Sequence, residues 1–210
     1  NIIFPDVPIR KEPKKTTNDV RCLFLSDIHM DSNIFNNLAF KKFLGWLDEE
    51  EKTNIFILGD VSSNEKDIHS LFQQIPEKHK IFFLKGEIDP QINYDVLPNP
   101  TLQWFEDVSL FLFHNQKINH YIDLWGPNTI VNLIKKRHLD PYFSPPGNHF
   151  LNAPDLLSTV PDIVVAAHTH IPSNIIYKNI TILTTGSFVS QPIFWLINLR
   201  TRETFKIDFS

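Results

Sequence analysis

Cysteine is almost absent: Cys22 is the single thiol in 210 residues. One thiol excludes an internal disulfide framework and a structural zinc site of clustered thiolates, and it fits a reducing compartment. Cys22 falls inside an apolar run and is expected to be a buried thiol. Long hydrophobic runs are missing as well. None approaches the ~20 residues a membrane helix needs, and no secretory leader is visible. Nor is there an excess of basic charge, since 20 Lys and Arg stand against 24 Asp and Glu, for a net charge of −4. A mildly acidic chain has no general affinity for nucleic acid and needs a local basic patch to hold one. Internal repeats and low-complexity tracts are not evident. What remains is an ordinary globular composition, 42% hydrophobic and 21% charged, at a length suited to one domain with a sizeable core. The chain begins at Asn1 rather than Met and is expected to be a fragment of something longer.

What is present is one device used repeatedly. Leu23-Phe-Leu-Ser-Asp-Ile-His29 is a short apolar run that ends in a carboxylate and an imidazole two positions apart. Such a run reads as a buried strand, and α/β sheets place their chemistry at the C-terminal ends of strands. A single Asp-x-His arises easily by chance. Here the arrangement recurs in Ile55-Phe-Ile-Leu-Gly-Asp60, Ile81-Phe-Phe-Leu-Lys-Gly-Glu87-Ile-Asp89, Leu110-Phe-Leu-Phe-His114 and Ile163-Val-Val-Ala-Ala-His168-Thr-His170. Five strands presenting metal-ligand side chains at one end are hard to explain as core packing.

In chain order, residues 1–20 are polar and Pro-rich, with Lys11, Lys14 and Lys15, and read as an extended arm or linker. The lysines suit a solvated linker better than a nucleic-acid contact. Residues 34–51 carry Phe35, Leu38, Ala39, Phe43, Trp46 and Leu47 at helical spacing, with Ser32 or Asn33 as the expected cap. Strand 54–58, helix 65–75 and strand 80–84 follow, a β-α-β-α-β order that favours parallel pairing. Residues 90–100 read as loop and 108–113 as strand. Residues 117–138 read as two helical pieces, broken at Gly126-Pro127 and ending in the basic run Lys135, Lys136, Arg137 and His138. A Pro-rich loop over 140–154 leads to strand 162–167. Later short β segments near 175–177, 180–185, 193–199 and 203–208 are expected to form a second, largely antiparallel sheet packed on the first. The fold class is therefore α/β, with two mixed sheets between helices, over residues 21–210.

Carboxylates mixed with imidazoles suit manganese, iron or zinc better than calcium or magnesium. Seven candidates, Asp27, His29, Asp60, Glu87, His114, His168 and His170, are too many for one ion and suggest a two-metal centre with a bridging carboxylate. Two such ions serve phosphate-ester hydrolysis. Glu87 also reads as a solvent-facing carboxylate. His69, His79, His120 and His138 are expected at the surface or as caps. Gly147-Asn148-His149 sits in the Pro-rich loop rather than after a strand and reads as coincidence. Phe188, Phe194 and Trp195 suit core or interface better than base stacking. The basic run 135–137 suits a solvated helix end or a contact to DNA or a partner.

Taken jointly, Asp27-x-His29, Gly59-Asp60, Gly86-Glu-Ile-Asp89, His114 and His168-x-His170 resemble the calcineurin-like metallophosphoesterases in order and spacing. The similarity extends over nearly the whole chain to the small subunits of archaeal family D DNA polymerases. It is carried by Phe4-Pro-Asp-Val-Pro8, Ser26-Asp-Ile-His-Met-Asp-Ser32, Phe40-Lys-Lys-Phe-Leu-x-Trp46, Arg137-His-Leu-x-Pro141, Pro161-Asp-Ile163 and Thr185-Gly-Ser-Phe-Val-Ser-Gln191. The resemblance implies the αββα phosphoesterase fold and a 3′→5′ exonuclease related to the Mre-type repair nucleases. It implies two divalent metals, manganese first, with iron, zinc or magnesium as alternatives. One would be held by Asp27, His29, Asp60 and His170, the other by Asp60, Glu87, His114 and His168, with Asp60 bridging. Asp89 and His114 take the catalytic roles, and Lys135, Lys136 and Arg137 are the candidate DNA contacts. The implied partners are a large polymerase subunit, a single-stranded DNA 3′ end and a sliding clamp. The implied setting is cytoplasmic and nucleoid-associated.

Three motifs depart from the family's pattern. Its Gly-Asn-His-Asp is Gly86-Glu87-Ile88-Asp89 here, its His-Gly is His114-Asn115, and its Gly-His-x-His is Ala167-His168-Thr169-His170. Glu87 keeps an oxygen donor but adds a charge, which Lys85 next door can offset. Ile88 replaces the histidine that stabilises the transition state or protonates the leaving 3′-oxygen, a loss typically worth ~10²–10⁴-fold in rate. Asn115 adds a side chain where a nucleotide would pass. Two other readings stand beside a proofreading nuclease: a weakened member acting as a scaffold for the polymerase subunit, and a free-standing phosphodiesterase for small esters.

Overall fold

The computed structural model describes residues 6–7, 12–115, 117–125, 128–139, 157 and 159–210. The short apolar runs become strands and sort into two sheets. One sheet is built from β1 (Arg21–Leu25), β2 (Asn54–Leu58), β3 (Lys80–Leu84), β4 (Val96–Leu97), β10 (Ile193–Asn198) and β11 (Thr204–Asp208), in the order β11-β10-β1-β2-β3-β4. The other contains β5 (Thr101–Phe105), β6 (Val108–His114), β7 (Ile163–Ala167), β8 (Ser173–Tyr177) and β9 (Ile180–Thr184), in the order β5-β6-β7-β9-β8. Strands β1 to β4 run parallel in one sheet, and β6, β7 and β9 in the other, while antiparallel strands close the remaining three edges at β10-β11, β5 and β8.

Both faces of the central strands are covered, which is why their sequences are continuous rather than alternating apolar runs. Phe24, Phe56, Leu58 and Ile197 meet Leu110, Leu112, Val165 and Leu183 between the two sheets. Helices α1 (Asn37–Glu49) and α2 (Glu65–Gln74) cover the outside of the first sheet through Phe40, Phe43, Leu47, Ile68 and Leu71. Helices α3 (Lys117–Trp125) and α4 (Thr129–Lys136) cover the second through Ile118, Tyr121, Ile130 and Ile134. The layers are therefore α-β-β-α, as the strand and helix pattern predicts.

Some expectations need correction. The late segments do not make a sheet of their own. β8 and β9 complete the sheet of β6 and β7, whereas β10 and β11 cross to the sheet of β1. The pairing of β10 with β1 lies far apart in sequence, and no local pattern encodes it. β4 and β5 flank the 90–107 region as edge strands, where half-exposed residues carry little periodicity. α1 begins at Asn37 rather than near Ile34, because the Asn36 side chain accepts from the Ala39 N–H at 3.0 Å and caps it. His138 is buried rather than at the surface, and His79, also buried, serves as a cap: it accepts from the Thr53 N–H and donates to the Leu47 carbonyl in the last turn of α1. Cys22 is fully buried, and Phe188 and Phe194 are core residues. The described part of the arm lies along the domain: Thr16 N–H donates to the Leu199 carbonyl, and Glu106 accepts from Thr17 and Asn18. Gly147-Asn148-His149 lies outside the described residues, as do Gly126-Pro127 and the whole of the 140–154 loop.

Candidate metal centre

Strands β1, β2, β3, β6 and β7 each end at the same edge of the molecule, and each delivers a polar side chain there. Asp27 and His29 follow β1, Asp60 follows β2, Glu87 follows β3, His114 closes β6, and His168 and His170 follow β7. Two groups of these side chains have ligand atoms within 4.8 Å of one another. One comprises Asp27, Asp60, His114 and His168, and the other Asp27, His29 and His170. Asp27 is the carboxylate common to both groups, whereas the family resemblance gives that place to Asp60.

The ring nitrogens face each other as well as carboxylates. His29 Nε2 lies 3.4 Å from His170 Nε2, and His168 Nδ1 lies 3.2 Å from His114 Nε2. Asp27 Oδ1 stands 3.1 Å from His170 Nε2, and Asp60 Oδ2 stands 3.3 Å from His114 Nε2. Glu87 joins through Oε2, 2.5 Å from His114 and 3.4 Å from His168, with its side chain 32% exposed. Imidazole nitrogens and carboxylate oxygens this close together are a ligand set of the kind a divalent cation takes.

Each donor is itself held. His114 Nδ1 donates to the Leu58 carbonyl at 2.7 Å, which turns Nε2 toward the centre. Asn99 grips the same residue's backbone through both its amide atoms, at 2.7 and 3.1 Å. Asp27 is completely buried, and its Oδ2 accepts from Ser26 Oγ and from the His168 N–H. Ser26 Oγ in turn meets Thr185 Oγ1 at 2.5 Å, and Ser187 Oγ donates to the Asp27 carbonyl at 2.6 Å. The Thr185-Gly-Ser187 turn after β9 thus clamps the β1 loop. Ser26, Thr185 and Ser187 stand in the quoted motifs 26–32 and 185–191, but nothing in those motifs marks their hydroxyls as clamps.

Asp89 stands differently from its expected catalytic role. It is 3% exposed, and both oxygens face inward. Oδ2 accepts from the Asp60 and Gly86 N–H groups at 2.8 Å each, and Oδ1 from Val61 at 2.7 Å and Ser62 at 3.2 Å. This carboxylate ties the β2 loop to the β3 loop and has no oxygen left to face a substrate. Gly86 is required at that junction, because an added Cβ would overlap the Asp60 carboxylate and backbone. Ile88 donates its N–H to Asp60 Oδ1 at 3.1 Å, and its side chain offers no proton.

Of the ten non-glycine residues with positive φ among the described residues, five stand at this centre. Asp27, His29, Asp60, His168 and His170 all adopt positive φ, between 51° and 85°. A left-handed conformation costs a non-glycine residue on the order of 1–2 kcal/mol, and such strain gathers at functional sites. Charge gathers there too. Burial alone would depress His114, but Asp60 and Glu87 beside it, with Asp27 nearby, push its pKa up to about 11. Asp60 is disfavoured as an anion by burial, yet the imidazole of His114 brings its pKa below the usual value.

The basic run is not brought to this centre. Lys135 and Lys136 fill the last turn of α4, and Lys135 Nζ sits 5.2 Å over the ring of Tyr177. Tyr177 is the far end of β8, opposite the β7 end that carries His168. At about 3.3 Å per strand residue the separation exceeds 10 Å.

The family model for calcineurin-like phosphoesterases matches residues 20–172. The chain is 25% identical to the DNA polymerase II small subunit of Halobacterium salinarum, over 92% of this chain and 48% of that protein. It is likewise 25% identical to the subunit of the same name from Pyrococcus abyssi, over 91% of this chain and 40% of that protein. The chain thus spans about half or less of these curated relatives. Among solved structures, an archaeal phosphodiesterase superposes with a TM-score of 0.59 at 14% identity, covering 90% of this chain and 99% of its own. Vps29 from Entamoeba histolytica, solved with zinc, gives 0.58 at 14% identity, covering 91% and 100%. These likenesses show the shared fold, and the family match covers most of the domain. The chain belongs to the calcineurin-like phosphoesterase family.

Proposed function

We propose that this domain is a metal-dependent 3′→5′ exonuclease of the kind carried by family D polymerase small subunits. The observation that supports it most is the convergence of seven acid and imidazole side chains, from five strand ends, on one strained edge of the molecule. His29, His170 and Asp27 would hold one divalent ion, and Asp60, His114, His168 and Asp27 a second, with Glu87 adjoining. Bound there, the ions would lower the pKa of water and offset charge on a phosphodiester.

The chain's own contribution is placement. Asp89 fixes the Asp60 loop against the Glu87 loop, the Leu58 carbonyl fixes the His114 tautomer, and Thr185 and Ser187 fix Asp27. In the reaction a water oxygen bonds to phosphorus and the bond from phosphorus to the 3′-oxygen breaks. The leaving oxygen takes a proton, so the products are a nucleoside 5′-monophosphate and a strand with a new 3′-hydroxyl. The natural partners in this reading are a large polymerase subunit, a DNA 3′ end and a sliding clamp, in the cytoplasm at the nucleoid. No helix among the described residues is long and apolar enough to cross a membrane.

Ile88 favours a second reading, in which catalysis is impaired and the fold stabilises the polymerase subunit. One assay separates the two: release of label from a 3′-labelled single strand in Mn²⁺, beside an Asp60→Ala control. Metal-dependent release that the control lacks supports the nuclease. No release by a chain shown to have bound its metal rejects it.

A further inference from the structure

A second concavity opens beside the centre, and the proposed reaction does not use it. It is a cavity of about 300 Å³ on the outer face of the second sheet, beneath α3 and α4. Ile122 of α3, Ile130 of α4, Thr169, Ile171, and Ser173 and Thr184 on the strand side form most of its wall. Thr169 lies between His168 and His170, so the loop that presents two candidate ligands on one side walls the cavity on the other. Neighbouring Cα atoms are about 3.8 Å apart, so the rim begins one residue from the centre.

The lining specifies what could enter. No charged side chain lines the cavity among the described residues, so a phosphate has no reason to sit there. The wall hydroxyls are already engaged: Thr184 Oγ1 donates to the Ile171 carbonyl at 2.6 Å, and Thr129 Oγ1 to the Tyr121 carbonyl at 3.2 Å. Water there would forgo hydrogen bonds, so an apolar occupant displaces it favourably. The volume sits at the lower bound of small-molecule pockets, roughly 300–1,000 Å³, which suits one planar ring system rather than a chain segment. Ile171 is 56% exposed, an apolar residue left standing at the mouth.

We propose that this cavity receives the base of the 3′-terminal nucleotide whose phosphate is held at the adjacent centre. The inference rests on the phosphodiesterase reading and adds a specificity subsite to it. A nucleobase is uncharged and flat, and it offers apolar faces to isoleucine. An apolar side chain from a partner protein is the competing occupant, and the following test separates the two.

The measurement is calorimetric titration of the Mn²⁺-loaded chain with thymidine 5′-monophosphate and with 2-deoxyribose 5-phosphate. The two ligands share phosphate and sugar, and the sugar phosphate carries a hydroxyl at C1′ where the nucleotide carries its base. The expected result is at least tenfold tighter binding of the nucleotide. Ile122→Trp from the helix side and Ser173→Phe from the strand side should each remove that preference and leave deoxyribose phosphate binding unchanged. Their thermal melting confirms that both variants fold. Equal affinities in the unaltered chain overturn the base subsite but leave the metal centre standing, and they are what a partner side chain in the cavity predicts. A preference that survives both variants also overturns it. If neither phosphate binds the metal-loaded chain, the base subsite and the phosphodiesterase reading fall together.

Discussion

Asp89→Asn isolates what the buried carboxylate does, because the substitution keeps volume and removes only charge and one acceptor. In the native chain four N–H groups converge on its two oxygens, at 2.7 to 3.2 Å. An amide can still accept from Val61 and Ser62 through its oxygen. Its NH₂ must then face the Asp60 and Gly86 N–H groups, donor against donor. Two buried donors left without an acceptor cost about 1–3 kcal/mol each. Burial works the other way: it raises the Asp89 pKa against the pull of those same four donors, a desolvation cost that asparagine escapes. The net expectation is a loss of about 3 kcal/mol. For a chain of this size each kcal/mol moves the melting temperature by about 2–4 °C, so the variant should melt roughly 6–12 °C lower. Calorimetric or fluorescence melting without metal reads this directly, and a second melt in Mn²⁺ reads the site. The Mn²⁺-induced rise in melting temperature should shrink as well, because the Asp60 backbone loses its anchor. A variant that melts within 2 °C of the native chain and keeps its metal-induced rise would refute the positioning role.

Other perturbations follow from the same geometry. Ile88→His should raise the rate of 3′-end hydrolysis at least tenfold in the metal-loaded chain, and an unchanged rate would count against any proton donation from that position. His170→Gly relieves a φ of 57° while giving up a partly exposed hydrogen bond to Asp27. Left-handed strain of about 1–2 kcal/mol then offsets the ~0.5–1 kcal/mol entropy cost of glycine. Metal-free melting should therefore stay within a few degrees, while stabilisation by Mn²⁺ is largely lost; a large metal-free drop would mean that His170 is structural. Burial pushes the Cys22 thiol well above its ordinary pKa, so it stays protonated in the folded chain while the unfolded thiol ionises near pH 8.5. Its folded pKa is the higher one, so the stability it supplies is full below about pH 8.5 and falls as pH rises. Relative to Cys22→Ala, the native chain should lose roughly 2 kcal/mol between pH 8 and pH 10 in urea unfolding. A gap that stays constant over that range would show that the thiol is not buried as described.

How much of this was legible beforehand depends on whether a feature is local. Strands such as Ile55–Leu58 are apolar throughout because both faces are covered, and their ends carry the polar residue that α/β architecture turns outward. The gathering of Asp27, Asp60, His114 and His168 could therefore be anticipated from spacing alone. The partition of the late strands could not. Ile193–Asn198 reads the same whether it pairs with β9 or with β1, and only the burial of Trp195 and Ile197 against Leu183 and Leu112 settles the matter. Asp89 shows a subtler failure. A carboxylate two residues after Glu87 carries the mark of a catalytic group, and nothing in its identity reveals that four backbone donors already occupy it.

The strain at the ligands shows why the two kinds of feature differ. A chain tuned only for folding would set glycine or asparagine at five positions of positive φ, and this one sets Asp27, His29, Asp60, His168 and His170 there. Each is a worse choice for the turn than glycine, yet all five belong to the two groups of converging donors. Local propensity and global fold conflict at these residues and agree along the strands that carry them. The surrounding clamps at Asp89, Thr185 and Ser187 supply the rigidity that keeps unfavourable turns in place. Positive φ by itself does not mark the centre, since Glu106, Arg137, Lys178, Asn179 and Arg202 also adopt it elsewhere in the fold. What sets the five apart is that strained turns and converging ligand atoms coincide there, which is the arrangement a divalent-metal site requires.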